Sequence, residues 1–324
     1  MGVNLKDIIA SQPLDFSDLK GKVIAVDALN SLYQFLASIR QPDGTPLMDS
    51  KRNVTSHLSG LLYRTIRLTQ MGIKPIYVFD GKPPHLKTRE IESRSELKDA
   101  AEHEWHMAKK EGRIEDAKKY AMRTSRLTRE MLEDSKKLLS GMGIPQVQAP
   151  SEGEAQCVHL CNRGDAWAVG SQDYDSLLLG APRLVKGLTL SGTLELSIIH
   201  LDKALGELGI SQEQLIDLAV LVGTDFNDGV KGIGPKKALK IVREGKVGEV
   251  SANVDFDFEE VRNLFLHPQV SDEYSVEWKK PDRDGIIRLL CEEHDFSEER
   301  VNTAIGNLEK SLKEFSQKDL SAWF

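Results

Sequence analysis

The sequence predicts an α/β fold with a mostly parallel central sheet flanked by helices, on three observations. Residues 21–80 alternate short apolar runs with helical stretches, the grammar of βαβ units. Two of these runs end in acid: Asp27 closes Val23-Ile24-Ala25-Val26, and Asp80 closes Ile76-Tyr77-Val78-Phe79. Buried parallel strands read as such continuous runs, and open α/β sheets place ligands beyond their carboxyl ends. The grammar then breaks between about 86 and 137, where charges alternate in sign and Gly112 is the lone glycine, and it resumes over 138–190. An insertion of long solvated helices therefore interrupts the sheet.

Taken in order, a strand over 22–27 leads into helices over 29–39 and 54–70 and a strand over 74–80. After the insertion Met142-Gly143-Ile144-Pro145 stops a helix, and short strands follow at 146–149 and 167–170. Beyond Leu201 the chain reads mostly helical, with an apolar segment at 215–222, a glycine-rich turn and a helix start at 236–243. Residues 251–285 carry Pro268 and Pro281 and little periodicity; a final helix over 298–315 gives way to an extended tail at 316–324. There is no internal repeat and no low-complexity block.

A chain of 324 residues, 40% hydrophobic and 29% charged, can bury a sizeable core. No stretch is apolar for long enough to span a bilayer, and Lys6 and Asp7 come too early for a secretory signal. Cys157, Cys161 and Cys291 include no CxxC pair, which argues against a disulfide framework and a thiolate zinc site. An intracellular home follows from these readings.

Seven acids stand at the ends of apolar runs or in tight clusters: Asp27, Asp80, Glu152, Glu154, Asp173, Asp175 and Asp225. Some have an ordinary local explanation. Asp80-Gly81-Lys82-Pro83 is turn chemistry, Ser151 and Glu154 fit a capping box, and Asp175 could cap a helix over 176–179. Asp225, after an apolar helix, opposes the dipole. Converging acids repel unless divalent cations screen them, and an all-oxygen set suits Mg²⁺ or Mn²⁺ rather than Zn²⁺. The net charge of −7 becomes −7 minus −7, or 0, once these seven acids are set aside, so the acidic balance does not exclude nucleic acid.

Two further motifs carry chemistry. Gly232-Ile233-Gly234-Pro235-Lys236-Lys237 is a two-glycine turn with proline at the first helical position, a phosphate cradle that reads backbone rather than base. Gln317, Leu320, Trp323 and Phe324 have the spacing of a peptide ligand, with two aromatics at the frayed end.

The ordered set Val26-Asp27-Ala28, Phe79-Asp80-Gly81-Lys82-Pro83-Pro84, Ala149-Pro150-Ser151-Glu152-Gly153-Glu154-Ala155, Ser171-Gln172-Asp173-Tyr174-Asp175, Gly223-Thr224-Asp225 and Gly232-Ile233-Gly234-Pro235 closely resembles the flap endonucleases, structure-specific 5′ nucleases, and looks like their archaeal branch. The resemblance spans the whole chain. It implies a PIN-like 5′ nuclease fold with a helical arch and a helix–two-turn–helix element, and two-metal hydrolysis of DNA at 5′ flaps in Okazaki-fragment maturation and base excision repair. Asp80, Glu152, Glu154, Asp173 and Asp175 would hold the metals, Asp27 and Asp225 acting directly or through waters. Lys87 and Arg94 would contact the scissile phosphate, Tyr33 would stack on the neighbouring base, and Gly2 would bring the chain's amine close once Met1 is removed.

The resemblance further implies K⁺ at the Gly232 turn, the sliding clamp (PCNA) as partner of the tail, and a monomer, with no membrane role, in the cytoplasm or nucleoid of an archaeon. Its regions would be 1–98 and 135–258 for the nuclease, 99–134 for the arch, 259–315 for a helical C-terminal part and 316–324 for the clamp-binding tail. Gly153 departs from the alanine common in the family. The alternatives are another 5′ nuclease, exonuclease or junction resolvase, and a catalytically silent clamp-binding scaffold.

Overall fold

The computed structural model describes residues 2–188 and 196–321, the side chains of 89–91 and 316–321 aside. Strand β1, Gln12–Leu14, precedes the first βαβ unit: β2 (Val23–Asp27), helices α1 (Ala28–Ser38) and α2 (Ser56–Gln70), and β3 (Lys74–Phe79). Next come α3 (Thr88–Lys110), α4 (Ile114–Ala121), α5 (Arg129–Gly141) and β4 (Gln146–Gln148). Then α6 (Gly153–Arg163), β5 (Ala168–Gly170), α7 (Asp175–Leu178), β6 (Arg183–Lys186) and β7 (Leu196–His200) complete the sheet. The helical remainder is α8 (Leu201–Leu208), α9 (Gln212–Val222), α10 (Pro235–Arg243), α11 (Val247–Ser251), α12 (Phe258–Leu266), α13 (Arg283–Ile287) and α14 (Glu298–Ser321).

Among the described residues the strands order as β1-β7-β6-β5-β2-β3-β4. β6, β5, β2, β3 and β4 are parallel, while β7 runs antiparallel to β6 and β1 to β7. The predicted mostly parallel sheet is present. The chain builds outward from β2 through β3 to β4, then returns to β2's other side with β5, so the direction of winding reverses at β2. Crevices open at such reversals, outside the strand carboxyl ends.

Period-two alternation divides the core between two faces. Ala25, Ile76, Val78 and Val169 point to a layer containing α6, α9 and α12 residues such as Leu160, Leu218 and Phe265. Ile24, Val26, Tyr77 and Phe79 point to the other, with Leu62, Leu139, Leu290 and Ile305.

The charged insertion forms helices as expected. α3 and α4 close through alanines, Ala101, Ala108, Ala117 and Ala121 being buried. The pair rests on the loop after α1: Lys109 Nζ reaches Asp43 Oδ2 at 2.9 Å, and Arg40 reaches Ser125 Oγ at 3.0 Å. The helices run unbroken from the sheet into the arch, so the boundaries at 98/99 and 134/135 fall inside α3 and α5.

Three sequence expectations change. β1, β6 and β7 were not foreseen, their runs being short and polar-flanked. The aperiodic 251–285 region contains α12, started by Asp257, whose side chain accepts from Glu260 N. The tail expected to be extended from 316 is helical through Ser321, because α14 meets no glycine or proline there. Trp323 and Phe324 lie outside the described residues.

An irregular strap over 267–282 crosses behind α6. Gln156, fully buried, exchanges two 2.8 Å hydrogen bonds with the Ser271 backbone, and Tyr274 donates to Asp165 Oδ2 at 2.6 Å. Lys279 N then donates to Gly143 O at 2.8 Å. Gly143 sits at φ 69°, and a Cβ there would fall on the Lys279 carbonyl oxygen. Gly143→Ala combines left-handed strain with that backbone clash. It is expected to destabilise the fold by about 2 kcal/mol or more, measured as a lower urea midpoint with unchanged slope.

Candidate functional site

The carboxyl edge at the β2 reversal gathers the acids. Asp27 is the last residue of β2 and caps α1, its Oδ1 accepting from Asn30 N at 2.9 Å. Asp80 follows β3, and its Oδ1 accepts from Gly153 N at 2.9 Å. The exits of β3 and β4 are stitched together: Gly81 N donates to Ser151 O at 2.6 Å, and a Cβ on Gly81 would strike the Ala149 carbonyl. Glycine at 81 is thus required by the close approach of a neighbouring strand end, its own backbone not being left-handed.

The ordinary explanations for the other acids mostly fall away. Glu152, not Ser151, occupies the N-cap of α6 and makes no side-chain cap bond, while Ser151 Oγ donates to Lys82 O. The capping box read from Ser151 and Glu154 is therefore absent. Glu154 Oε1 instead accepts from Ser171 Oγ at 2.6 Å and Ser176 Oγ at 3.2 Å. Asp175 is the first residue of α7, and its Oδ1 accepts from Val3 N at 2.8 Å rather than capping the helix. Asp173 Oδ2 accepts from Asn30 Nδ2 at 2.9 Å.

Two cations stand among them. Lys87 Nζ lies 2.5 Å from Glu152 Oε2 and 3.9 Å from Asp225 Oδ2, and Arg94 reaches Asp225 Oδ2 at 2.9 Å. Both come from the foot of the arch, Lys87 immediately before α3 and Arg94 within it. Burial lowers the Lys87 pKa, but Glu152, Asp225 and Asp80 outweigh it and raise it overall.

Electrostatics joins all seven acids in one cleft. Burial and then the Asp80 charge push Asp27 up to about 8. Burial and Glu152 push Asp80 up to about 6, and burial and Asp225 push Asp175 up to about 7. Glu154 is raised well above the carboxylate range by burial, then by Asp175, Asp27 and Asp173. Buried carboxylates that raise one another in this way lack positive charge, and their all-oxygen donor set fits hard divalent cations. As placed, no three acidic, cysteine or histidine side chains among the described residues converge on one point to hold an ion. Their oxygens are turned instead onto amides, hydroxyls, Lys87 and Arg94.

The remaining expected residues surround this cleft or lie apart from it. Gly2 reaches it, since a Cβ there would stand 2.5 Å from both Asp175 carboxylate oxygens. Tyr33 is 36% exposed on α1, with Lys98 Nζ 4.6 Å from its ring centroid, so it is not a core residue. Gly232 adopts φ 79°, Gly234 caps α10 without a side-chain bond, and Lys236 and Lys237 are exposed beside it. Sequence reasoning missed Asn30, Ser171, Ser176 and Lys186, whose Nζ sits 3.8 Å from the Tyr174 ring centroid and which feels the Asp173 charge. Ser171 and Ser176 flank the Asp173-Tyr174-Asp175 cluster and were legible there; Lys186 arrives only through β6 pairing beside β5.

Residues 1–101 match the XPG N-terminal domain and 143–225 the XPG I-region. Flap endonuclease 1 of Pyrococcus horikoshii is 51% identical over 338 residues, covering 100% of this chain and 98% of that one. The chain belongs to the flap endonuclease family. As a family member it is a nuclease that hydrolyses DNA phosphodiester bonds. The solved flap endonuclease-1 from Methanococcus jannaschii superposes with a TM-score of 0.82 at 46% identity, over 97% of this chain and 99% of that one. The catalytic core of Rad2 in complex with DNA substrate shares the fold at a TM-score of 0.72 and 24% identity, over 95% of this chain and 100% of that one. No helix among the described residues is long and apolar enough to cross a membrane.

A raised carboxyl holds protons that the unfolded chain has already released, so the folded state gains stability on acidification. With divalent cations chelated, the urea midpoint should rise as pH falls through about 8, 7 and 6, the values for Asp27, Asp175 and Asp80. Saturating Mg²⁺ should flatten that rise. A midpoint that drops across the window, or a profile indifferent to Mg²⁺, would show that these acids are not uncompensated.

Proposed function

We propose that this flap endonuclease cuts 5′ flaps at single-strand/duplex junctions by two-metal hydrolysis, with Mg²⁺ as the metal and Mn²⁺ able to replace it. The observation that carries the reading is the single cleft of seven acids at the sheet's reversal point, with Lys87 and Arg94 at its rim. Asp80, Glu152, Glu154, Asp173 and Asp175 would hold the ions, with Asp27 and Asp225 contributing directly or through waters. Bound there, such ions would supply a water of lowered pKa and charge to offset the leaving oxygen.

The chain's own residues do the rest. Lys87 and Arg94, leaving Glu152 and Asp225, offset charge that develops on the scissile phosphate. Exposed Tyr33 stacks on the base beside the cut, and Gly2, once Met1 is removed, places an amine near the site. The arch, proposed as 99–134 between nuclease parts 1–98 and 135–258, passes the 5′ strand. Gly232, Gly234, Lys236 and Lys237 grip duplex phosphates, with K⁺ at that turn. The same site accounts for 5′–3′ exonuclease action, and such substrates arise in Okazaki-fragment maturation and base excision repair. Gln317, Leu320, Trp323 and Phe324, in region 316–324 beyond helical part 259–315, bind a ring-shaped sliding clamp through an apolar pocket.

Asp175→Asn tests the site cleanly, because the amide keeps an acceptor for Val3 N while removing the charge. Single-turnover cleavage of a double-flap DNA in Mg²⁺ should fall by about 100-fold or more, a barrier rise of about 2.7 kcal/mol. Melting temperature and flap affinity should be retained. Full turnover by this variant would remove the metal-site assignment.

Removing 317–324 should leave intrinsic flap cutting unchanged and abolish clamp binding measured by calorimetry. A truncated chain that still bound the clamp with full affinity would place the contact elsewhere.

A further inference from the structure

Asp80 leaves the end of β3 and turns its carboxylate onto the first turn of α6, where Gly153 N donates to Oδ1 at 2.9 Å. A helix N-terminus stabilises such a carboxylate through its exposed amide and its dipole. Gly153 is not among the residues at positive φ, so the backbone there does not call for glycine. Space does. A Cβ built on Gly153 would fall well inside the 3.0 Å that real Cβ contacts keep, and the atom it meets is Asp80 Oδ1. The next neighbours, Val78 O at 3.4 Å and Asp80 Cγ at 3.6 Å, are at ordinary contact. The one obstacle to a methyl group is therefore the rotatable end of an aspartate, which can move without shifting backbone.

The docked position also commits one of the two Asp80 oxygens, because Oδ1 is taken by the Gly153 amide at 2.9 Å. We propose that Gly153 is a positioning residue that tunes metal affinity: by admitting the docked Asp80, it makes the α6 amide a competitor of the cation for that carboxylate. The inference rests on the metal-site reading above. Adding a Cβ at 153 turns Asp80 off the amide toward the cleft, removing the competitor and tightening metal binding.

The test compares the full-length wild type, Gly153→Ala and Asp80→Asn by Mn²⁺ calorimetry and by melting in chelator and in Mg²⁺. Gly153→Ala is expected to bind Mn²⁺ about tenfold more tightly, equivalent to about 1.4 kcal/mol. Its melting temperature should also gain more than wild type does on going from chelator to Mg²⁺. A purely structural defect would shift both melts equally and leave that difference unchanged. Gly153→Ser adds the same Cβ and must move in the same direction, which keeps the test available if the alanine variant folds poorly. Unchanged or weaker Mn²⁺ binding by the 153 variants, with affinity lost in Asp80→Asn, overturns the role of Gly153 and leaves the metal site standing. Asp80→Asn titrating like wild type would overturn the metal site itself.

Discussion

Asp27 and Asp175 are buried, and Asp80 and Glu154 half-buried, at one end of a parallel sheet, where desolvation and mutual repulsion both disfavour charge. A fold that keeps such groups must hold each by a partner too weak to neutralise it and near enough to orient it. Backbone amides do this for Asp27, Asp80 and Asp175, hydroxyls for Glu154, and an amide side chain for Asp173. Among the described residues, Glu152 and Asp225 take full counter-charges from Lys87 and Arg94. These two acids lie on the arch side, so charge compensation is supplied by the element that the resemblance assigns to substrate.

That arrangement makes the surrounding scaffold part of the chemistry. The β2 reversal brings four strand exits together, and parallel pairing of Asp27 with Val78 and of Phe79 with Gln148 sets their heights. α6, which carries Glu154, is indexed from behind by the strap through Gln156, His159 and Asp165. Repulsion within the cleft presses on these elements, and buried hydrogen bonds resist it because breaking one leaves an unpaired polar group.

The arch meets the same problem with different means. Its helices have few large apolar residues, so they associate through alanines and through ion pairs such as Arg126 with Asp99. Exposed ion pairs contribute little each, so most of the arch's placement comes from its covalent continuity with the cleft wall and its seat on the loop after α1. Lys87 and Arg94 thus stand at a junction between a rigid sheet and a lightly held insertion.

By itself the sequence determined the α/β class, the interrupted sheet and the identity of the seven acids, because apolar runs ending in carboxylate and paired acids after strands are local signals. Local signals also misled: Ser151 and Glu154 spelled a capping box that the chain does not form, since Glu152 takes the N-cap and Glu154 is drawn to two serines. Only tertiary structure decided that Tyr33 is exposed, that Val3 N and Asn30 hold acids far away in sequence, and that Lys186 lies by Asp173. It also decided that Gly153 leaves room for Asp80. The physical reason is one of range. Propensity and hydrophobic period act over a few neighbours and specify elements, whereas the partner of a buried charge is whatever strand order and helix packing bring within about 3 Å.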